Sequence, residues 1–501
     1  MPTDRIMAGV KSLAKDTAIY GLSSIIGRFL NWCLVPLYTA MFPADEYGIV
    51  TYVYSIVALA LIVLTYGMET GFFRFANHER YDNPMVVYST ALISLGVTST
   101  IFIIGVLCFL TPISASLECA GHEDYIAMMT IAVAVDAFTA LPYSYLRYKQ
   151  RPVRFAFLRL INIGLNIGLN LWFILACPYL YKSAPELVSW CYRPDFGIGY
   201  IFLANLISSV ITLLLMIPEM KGFRWRFNRG LWREMICYSF PLLILGIAGI
   251  MNQTIDKILL PVLLPEGSES MAQLGIYGAN YKIAIVMVMF IQAFRFAYEP
   301  FIFAQNREQG GDRLQAYRDA MKYFVIFAMV IFLGVMFYID ILKYFINERY
   351  FSGLRVVPII MIAEFFFGIF FNLSLWYKLT DRTIWGMWLS IGGLAVTVLL
   401  NILLVPRMGY MGCAWAALGC YASMMVASYI AGRINYPIGY NVPRLAFYFL
   451  LALALYGTSI VITTHIGWVD MTARSILLGV YCLVVVKREK LPLPRRLPFL
   501  K

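Results

Sequence analysis

The chain has 501 residues, of which 61% are hydrophobic and 14% charged, with a formal net charge of +12. An ordinary soluble domain holds about 25% charged residues, so that class is excluded. The short alternating strands of a transmembrane barrel do not recur either, which leaves a polytopic all-α membrane protein.

A bilayer core is crossed by about 20 apolar residues in helix. About 14 runs meet that length: 17–42, 47–73, 85–110, 125–148, 155–180, 196–216, 235–264, 274–304, 320–341, 356–379, 384–405, 412–432, 445–466 and 474–486. The first is full length and lacks a small-residue cleavage site, so no cleavable signal peptide is expected. The basic residues lie mostly in the segments between runs. With the N-terminus inside, about 28 Lys and Arg fall on the inner side and about 7 on the outer. That bias sets topology, predicts both termini in the cytoplasm and points to no nucleic-acid partner.

The first run carries Arg28, which costs about 2.5–3.5 kcal/mol at the centre of a membrane helix and so calls for a bundle interior or a wet cavity. Asp45 and Glu46 follow in the first outer loop, where the dipole of the next helix favours carboxylates. Asn162, Asn166 and Asn170 recur every four residues on one face of the fifth run. They read as interhelical hydrogen-bond donors in preference to sugar contacts. The inner linker interleaves Arg224, Trp225, Arg226, Phe227 and Arg229. Two readings fit it, a helix lying on the membrane surface and a plain topogenic loop.

The linker separates two related halves. Asn31 to Pro36 is echoed by Asp256 to Pro261, Glu46-Tyr47-Gly48-Ile49 by Gln273-Leu274-Gly275-Ile276, and Tyr54 by Tyr281. An even number of spans per copy gives parallel repeats, an arrangement found in secondary transporters. The expected organisation is 1–220, a six-helix bundle; 221–232, the basic linker; 233–433, a second six-helix bundle; and 434–501, two further helices with a basic tail. No P-loop occurs, so ATP hydrolysis by this chain is not expected. Nine cysteines are scattered without metal spacing and are expected to be mostly buried. Cys119 and Cys191 fall in outer loops where a disulfide could form. No catalytic cluster, metal or cofactor is expected.

Ser12-Leu13-Ala14-Lys15-Asp16-Thr17-Ala18-Ile19-Tyr20-Gly21, with Arg28-Phe29-Leu30, Pro36-Leu37-Tyr38-Thr39 and Glu46-Tyr47-Gly48, resembles the polysaccharide-transport, Wzx-like branch of the multidrug/oligosaccharidyl-lipid/polysaccharide flippase superfamily. The residue-level likeness is concentrated before Arg80. It implies two six-helix bundles around a central cavity, followed by two more helices. It also implies translocation of undecaprenyl-diphosphate-linked oligosaccharide across a bacterial inner membrane, by a protein that is not an enzyme. The partners implied are the lipid-linked diphosphate, membrane lipids and a polymerase of the same pathway, with the chain itself a monomer. Helices one, two, seven and eight line the cavity in that family, and Arg28, Arg74, Lys257 and Arg295 fall in the matching runs.

A diphosphate crossing hydrocarbon needs a fixed cationic host, and the planar fork of Arg suits phosphate. Each cation has a plainer use. Arg74 can snorkel to headgroups. Lys257 can snorkel or pair with Asp256, although neighbours on a helix point ~100° apart. Arg295 can pair with Glu299 one turn on, and Arg28 with a distant acid. Asp136, Asp256 and Glu364 are deep acids that serve either ion coupling or neutralisation of the cations. Two other functions compete. A multidrug extruder would want an acidic cavity for cationic drugs, and a membrane polymerase or ligase would want a longer outer loop than 181–195.

Overall fold

The structure is a computed structural model. It describes residues 21, 23, 25–77, 83–117, 121–221, 223, 226–265, 267–307, 313–380, 382–462 and 467–490, the side chains of 297, 299–307, 313 and 467 excepted. Among the described residues every regular element is helical. A short apolar helix, α1 (Ile25–Met41), is followed by thirteen helices long and apolar enough to cross a membrane. These are α2 (Ala44–Ala76), α3 (Pro84–Cys108), α4 (Glu123–Tyr148), α5 (Pro152–Ser183), α6 (Gly199–Met220), α7 (Arg229–Leu263), α8 (Ser270–Phe296), α9 (Leu314–Phe337), α10 (Glu348–Leu379), α11 (Ile384–Met408), α12 (Tyr410–Asn435), α13 (Val442–Val461) and α14 (Trp468–Glu489). The count agrees with the apolar runs, since backbone groups in a bilayer must be satisfied within the segment.

Two compact units result. One runs to Gly278 and takes in Ser390–Cys413; the other holds Ala279–Leu389 and Ala414–Lys501. In the first unit the core at one end of the helices gathers Met68, Phe72, Tyr88, Leu141 and Leu231, from α2, α3, α4 and α7. Further along, Val50, Val53, Tyr125, Ile126 and Phe202 join α2, α4 and α6. In the second unit α10 is the most enclosed helix, 67% of its apolar window being buried against 11% for α14.

Local chemistry shapes several helices. α2 breaks at Tyr66 and Gly67, both at positive φ (32° and 73°); the second position suits glycine, which bears no Cβ penalty there. Ser239 on α7 donates its hydroxyl at 3.2 Å to the Gly67 carbonyl, which also accepts from Gly71 N at 3.0 Å. In α5 a π-helical turn covers Trp172–Ala176 just ahead of Pro178, whose ring and missing N–H displace the carbonyl one turn back. The linker is not helical at Phe223 or at residues 226–228. α7 starts at Arg229, capped by Asn228 Oδ1, which accepts from Leu231 N at 3.1 Å. Among the described residues the surface-helix reading therefore gives way to a loop; Arg224 and Trp225 lie outside them.

The echoed glycines meet. A Cβ at Gly48 on α2 would lie 1.9 Å from the Met271 carbonyl oxygen of α8, and one at Gly275 would lie 1.8 Å from that of Ala44. Gly48 and Gly275 are 227 positions apart, as are Ala44 and Met271, and Thr51 and Gly278. A Cβ at Gly278 would touch the Thr51 hydroxyl at 2.7 Å. Reciprocal contacts of this kind are what a two-fold relation between copies produces. The short sequence echo thus marks a helix crossing that only glycine admits.

Cysteines depart from the expectation of burial. Cys177, Cys413 and Cys420 are buried, but Cys33, Cys108, Cys237 and Cys482 are exposed on helix surfaces. A membrane helix has an apolar outer face as well as an apolar inner one, so a small apolar residue is free to occupy either. Cys191 is a free thiol, and Cys119 lies outside the described residues.

Candidate functional site

Arg28 sits on α1 with an exposed side chain. Its neighbour Gly27 is buried against α5, where an added Cβ would fall 2.6 Å from Ile163 Cδ1. Successive residues turn by about 100°, so Arg28 projects off the packed face of α1. Arg74 is also exposed, near the end of α2, with its guanidinium carbon 4.1 Å from the ring centroid of Tyr238 on α7. That cation–π contact fixes the arginine while leaving most of its donors available.

Lys257 differs. It is 9% exposed, and its ammonium lies 3.1 Å from both carboxylate oxygens of Asp256 and 3.0 Å from the Gln253 carbonyl. Tyr277 on α8 donates to Asp256 Oδ2 at 2.6 Å, and Cys413 on α12 approaches the Asp256 carbonyl at 3.6 Å. The expectation that neighbouring residues pair poorly does not hold here. The ~100° separation applies to the Cα–Cβ directions, and the flexible lysine stem bends its head group back.

Arg295 stacks over the Phe371 ring of α10 at 4.1 Å. Its expected pairing falls on Glu299, whose side chain lies outside the described residues. Glu364 is 4% exposed and accepts from the Tyr281 hydroxyl at 2.6 Å. Asp136 on α4 is half-buried, accepts from Ser209 on α6, and lies within electrostatic reach of Arg159 on α5. Arg159 in turn stands over the Tyr143 ring at 5.7 Å.

The structure thus brings Lys257 to Asp256 and places Arg28 and Arg74 as exposed residues in the first unit. Sequence reasoning missed Arg159, Tyr277 and Tyr281. The signal for the tyrosines was their spacing of four on α8, which puts both hydroxyls on one face. The asparagine ladder serves packing. Asn162 Nδ2 donates to Thr212 Oγ1 at 2.8 Å and the Ser208 carbonyl at 3.2 Å, while Asn170 Oδ1 accepts from the Tyr38 hydroxyl at 2.9 Å. Asp45 and Glu46 occupy the first turn of α2.

Residues 13–180 match the family described as polysaccharide biosynthesis protein. No curated protein matches the sequence. Among solved structures, a lipid II flippase MurJ in an inward closed conformation aligns with TM-score 0.72 and 10% identity, covering 94% of this chain and 99% of that one. An inward-facing multidrug resistance MATE transporter of the MOP superfamily aligns with TM-score 0.63 and 14% identity, covering 84% and 97%. A MATE transporter in the straight conformation gives 0.60 and 14%, covering 85% and 95%. The first third of the chain thus matches a polysaccharide biosynthesis family, and the chain shares over nearly its whole length the fold of the MurJ and MATE structures.

Proposed function

We propose that the chain is a flippase that carries undecaprenyl-diphosphate-linked oligosaccharide, the repeat unit of an O-antigen, capsule or exopolysaccharide, across a bacterial inner membrane by alternating access. One observation carries the reading: the polysaccharide biosynthesis match spans the helices that hold Arg28 and Arg74, and both residues stand exposed there. A diphosphate requires such donors in hydrocarbon, and Arg presents them in a fork that fits phosphate oxygens. Arg295, in the second unit, is a further candidate for contact with the diphosphate. Lys257, held by Asp256, would act together with that carboxylate as part of an ion-coupling pair. Asp136 and Glu364, each accepting a hydroxyl hydrogen bond, fit the same ion-coupling role.

The organisation into bundles at 1–220 and 233–433 around a central cavity, with 434–501 appended and both termini cytoplasmic, belongs to this reading, as do a monomeric state and a pathway polymerase as partner. The exposed cations favour an anionic cargo. The MATE likeness supports the competing multidrug extruder, whose cavity would instead suit cations. Deleting the gene tests the choice. Accumulation of a lipid-linked glycan on the inner leaflet supports the flippase, whereas drug sensitivity without accumulation contradicts it. Polymerised glycan made by the purified chain would identify a polymerase instead.

A further inference from the structure

Three cavities in the second unit lie side by side and share lining residues. The first, about 290 Å³, lies among α9, α10, α12 and α13 and is walled by apolar side chains such as Val325, Phe366, Met425 and Phe449. The second, about 360 Å³, shares Leu373, Tyr429, Tyr440 and Val442 with it and adds Arg433. The third, about 260 Å³, shares Tyr440 and Leu445 with the first and is lined by Arg318, Lys322, Arg444 and Asp319. An apolar chamber therefore lies beside a charged one, with Tyr440 and Leu445 lining both.

The charges at the polar end are unequal. Glu489 on α14 takes Arg444 at 2.7 Å and Lys322 at 2.9 Å, and Lys322 also contacts Asp319 at 3.0 Å. Three cations, Arg318, Lys322 and Arg444, thus meet two carboxylates there, and Arg433 lines the neighbouring second cavity. Arg318 spends its Nε on the Ile438 carbonyl at 2.8 Å, and among the described residues no carboxylate pairs with it. Its terminal nitrogen lies beside Gly439, 3.7 Å from where a Cβ would stand. The Tyr440 hydroxyl is buried and has no hydrogen-bond partner among the described residues. Buried donors of this kind are normally satisfied.

We propose that this composite pocket holds an anionic phospholipid, with one acyl chain in the apolar chamber and the phosphodiester between Arg318, Arg444 and the Tyr440 hydroxyl. The excess of cations selects an anionic head over a zwitterionic one, because a choline ammonium would meet like charge. The apolar chamber selects a lipid over a free anion, since a free anion leaves it unfilled.

Native mass spectrometry of the purified full chain, titrated with dioleoyl phosphatidylglycerol, dioleoyl phosphatidylcholine and inorganic phosphate, tests the site. Wild type is expected to retain phosphatidylglycerol about tenfold more tightly than phosphatidylcholine, and Arg318→Ala to erase that preference. Tyr440→Phe removes a hydroxyl without a hydrogen-bond partner among the described residues, so folding is expected to survive while phosphatidylglycerol affinity falls about fivefold. Ala446→Trp fills the chamber and is expected to release both lipids. Equal retention of the two lipids by wild type overturns the proposal. Binding of inorganic phosphate without lipid retention shows a free-anion site and overturns it as well. Displacement of phosphatidylglycerol by undecaprenyl diphosphate at equal concentration would assign the pocket to the transported lipid and likewise overturn it. No transport step enters these measurements, so their outcome is independent of the flippase reading.

Discussion

The ammonium of Lys257 lies 3.1 Å from both carboxylate oxygens of Asp256, its immediate neighbour on α7. The two charges are buried together, and Tyr277 satisfies Asp256 from α8. Removing one member of a buried pair strands the other charge, at a cost of about 3–5 kcal/mol, whereas replacing both by apolar groups is close to neutral. Lys257→Met alone is therefore expected to destabilise the chain strongly, and the double variant Asp256→Leu with Lys257→Met much less. Thermal unfolding in detergent measures both. Additive losses would show that the two side chains do not act as a pair.

The crossing of α2 and α8 is the second test. A methyl group at Gly48 or Gly275 would overlap a carbonyl oxygen of the facing helix. Overpacking of this kind costs about 1–3 kcal/mol. Gly48→Ala and Gly275→Ala are expected to destabilise by similar amounts, because their contacts are reciprocal. Gly105→Ala and Gly164→Ala place the new methyl where nothing lies within 4 Å, and are expected to be neutral or mildly stabilising. Equal behaviour of all four would mean that the helices do not cross this closely.

The span count was legible because bilayer length and apolar content leave little choice; the echo of Gly48 in Gly275 was visible, but that the two glycines meet at a helix crossing was not. The ion pairs were less legible. Asp256 and Lys257 were misjudged because helix geometry fixes Cβ directions and says little about where a long lysine ends. Arg159 was overlooked because it follows the basic flank of Arg151 and Arg154, which bind Glu219 at 3.7 and 3.1 Å at the helix end. No local pattern announces that Arg159 turns toward Asp136, since that relation depends on how three helices pack.

The asparagine ladder separates packing from recognition. Asn162→Leu loses two hydrogen bonds to α6, at about 0.6 kcal/mol each in a membrane setting. A lowered unfolding midpoint with unchanged glycan affinity is expected. Unchanged stability with weakened glycan binding would assign Asn162 to the cargo.

A pH dependence is expected at the loop after α9. Arg474 on α14 sits 2.6 Å from Asp340 Oδ2. Its hydrogen bond, followed by its charge and that of Lys343, holds the Asp340 carboxyl below the usual range against the opposing effect of burial. A carboxyl whose folded pKa is depressed contributes stability above its unfolded value, about 3.9, and loses it as pH falls through the folded value. The stability difference between wild type and Arg474→Gln is therefore expected at pH 6 and should shrink toward pH 3. The effect is small, since Asp340 is more than half exposed. A difference that stays constant with pH would place the role of Arg474 elsewhere.

The most direct measurement is transport of an undecaprenyl-diphosphate-linked oligosaccharide by the purified chain in proteoliposomes, comparing wild type with Arg28→Ala and Arg28→Lys. Losing a charge-assisted, two-pronged contact to phosphate is expected to slow Arg28→Ala by about tenfold or more, with Arg28→Lys in between. Arg28→Ala moving the lipid-linked glycan as fast as wild type would contradict the assignment of that guanidinium as host of the diphosphate.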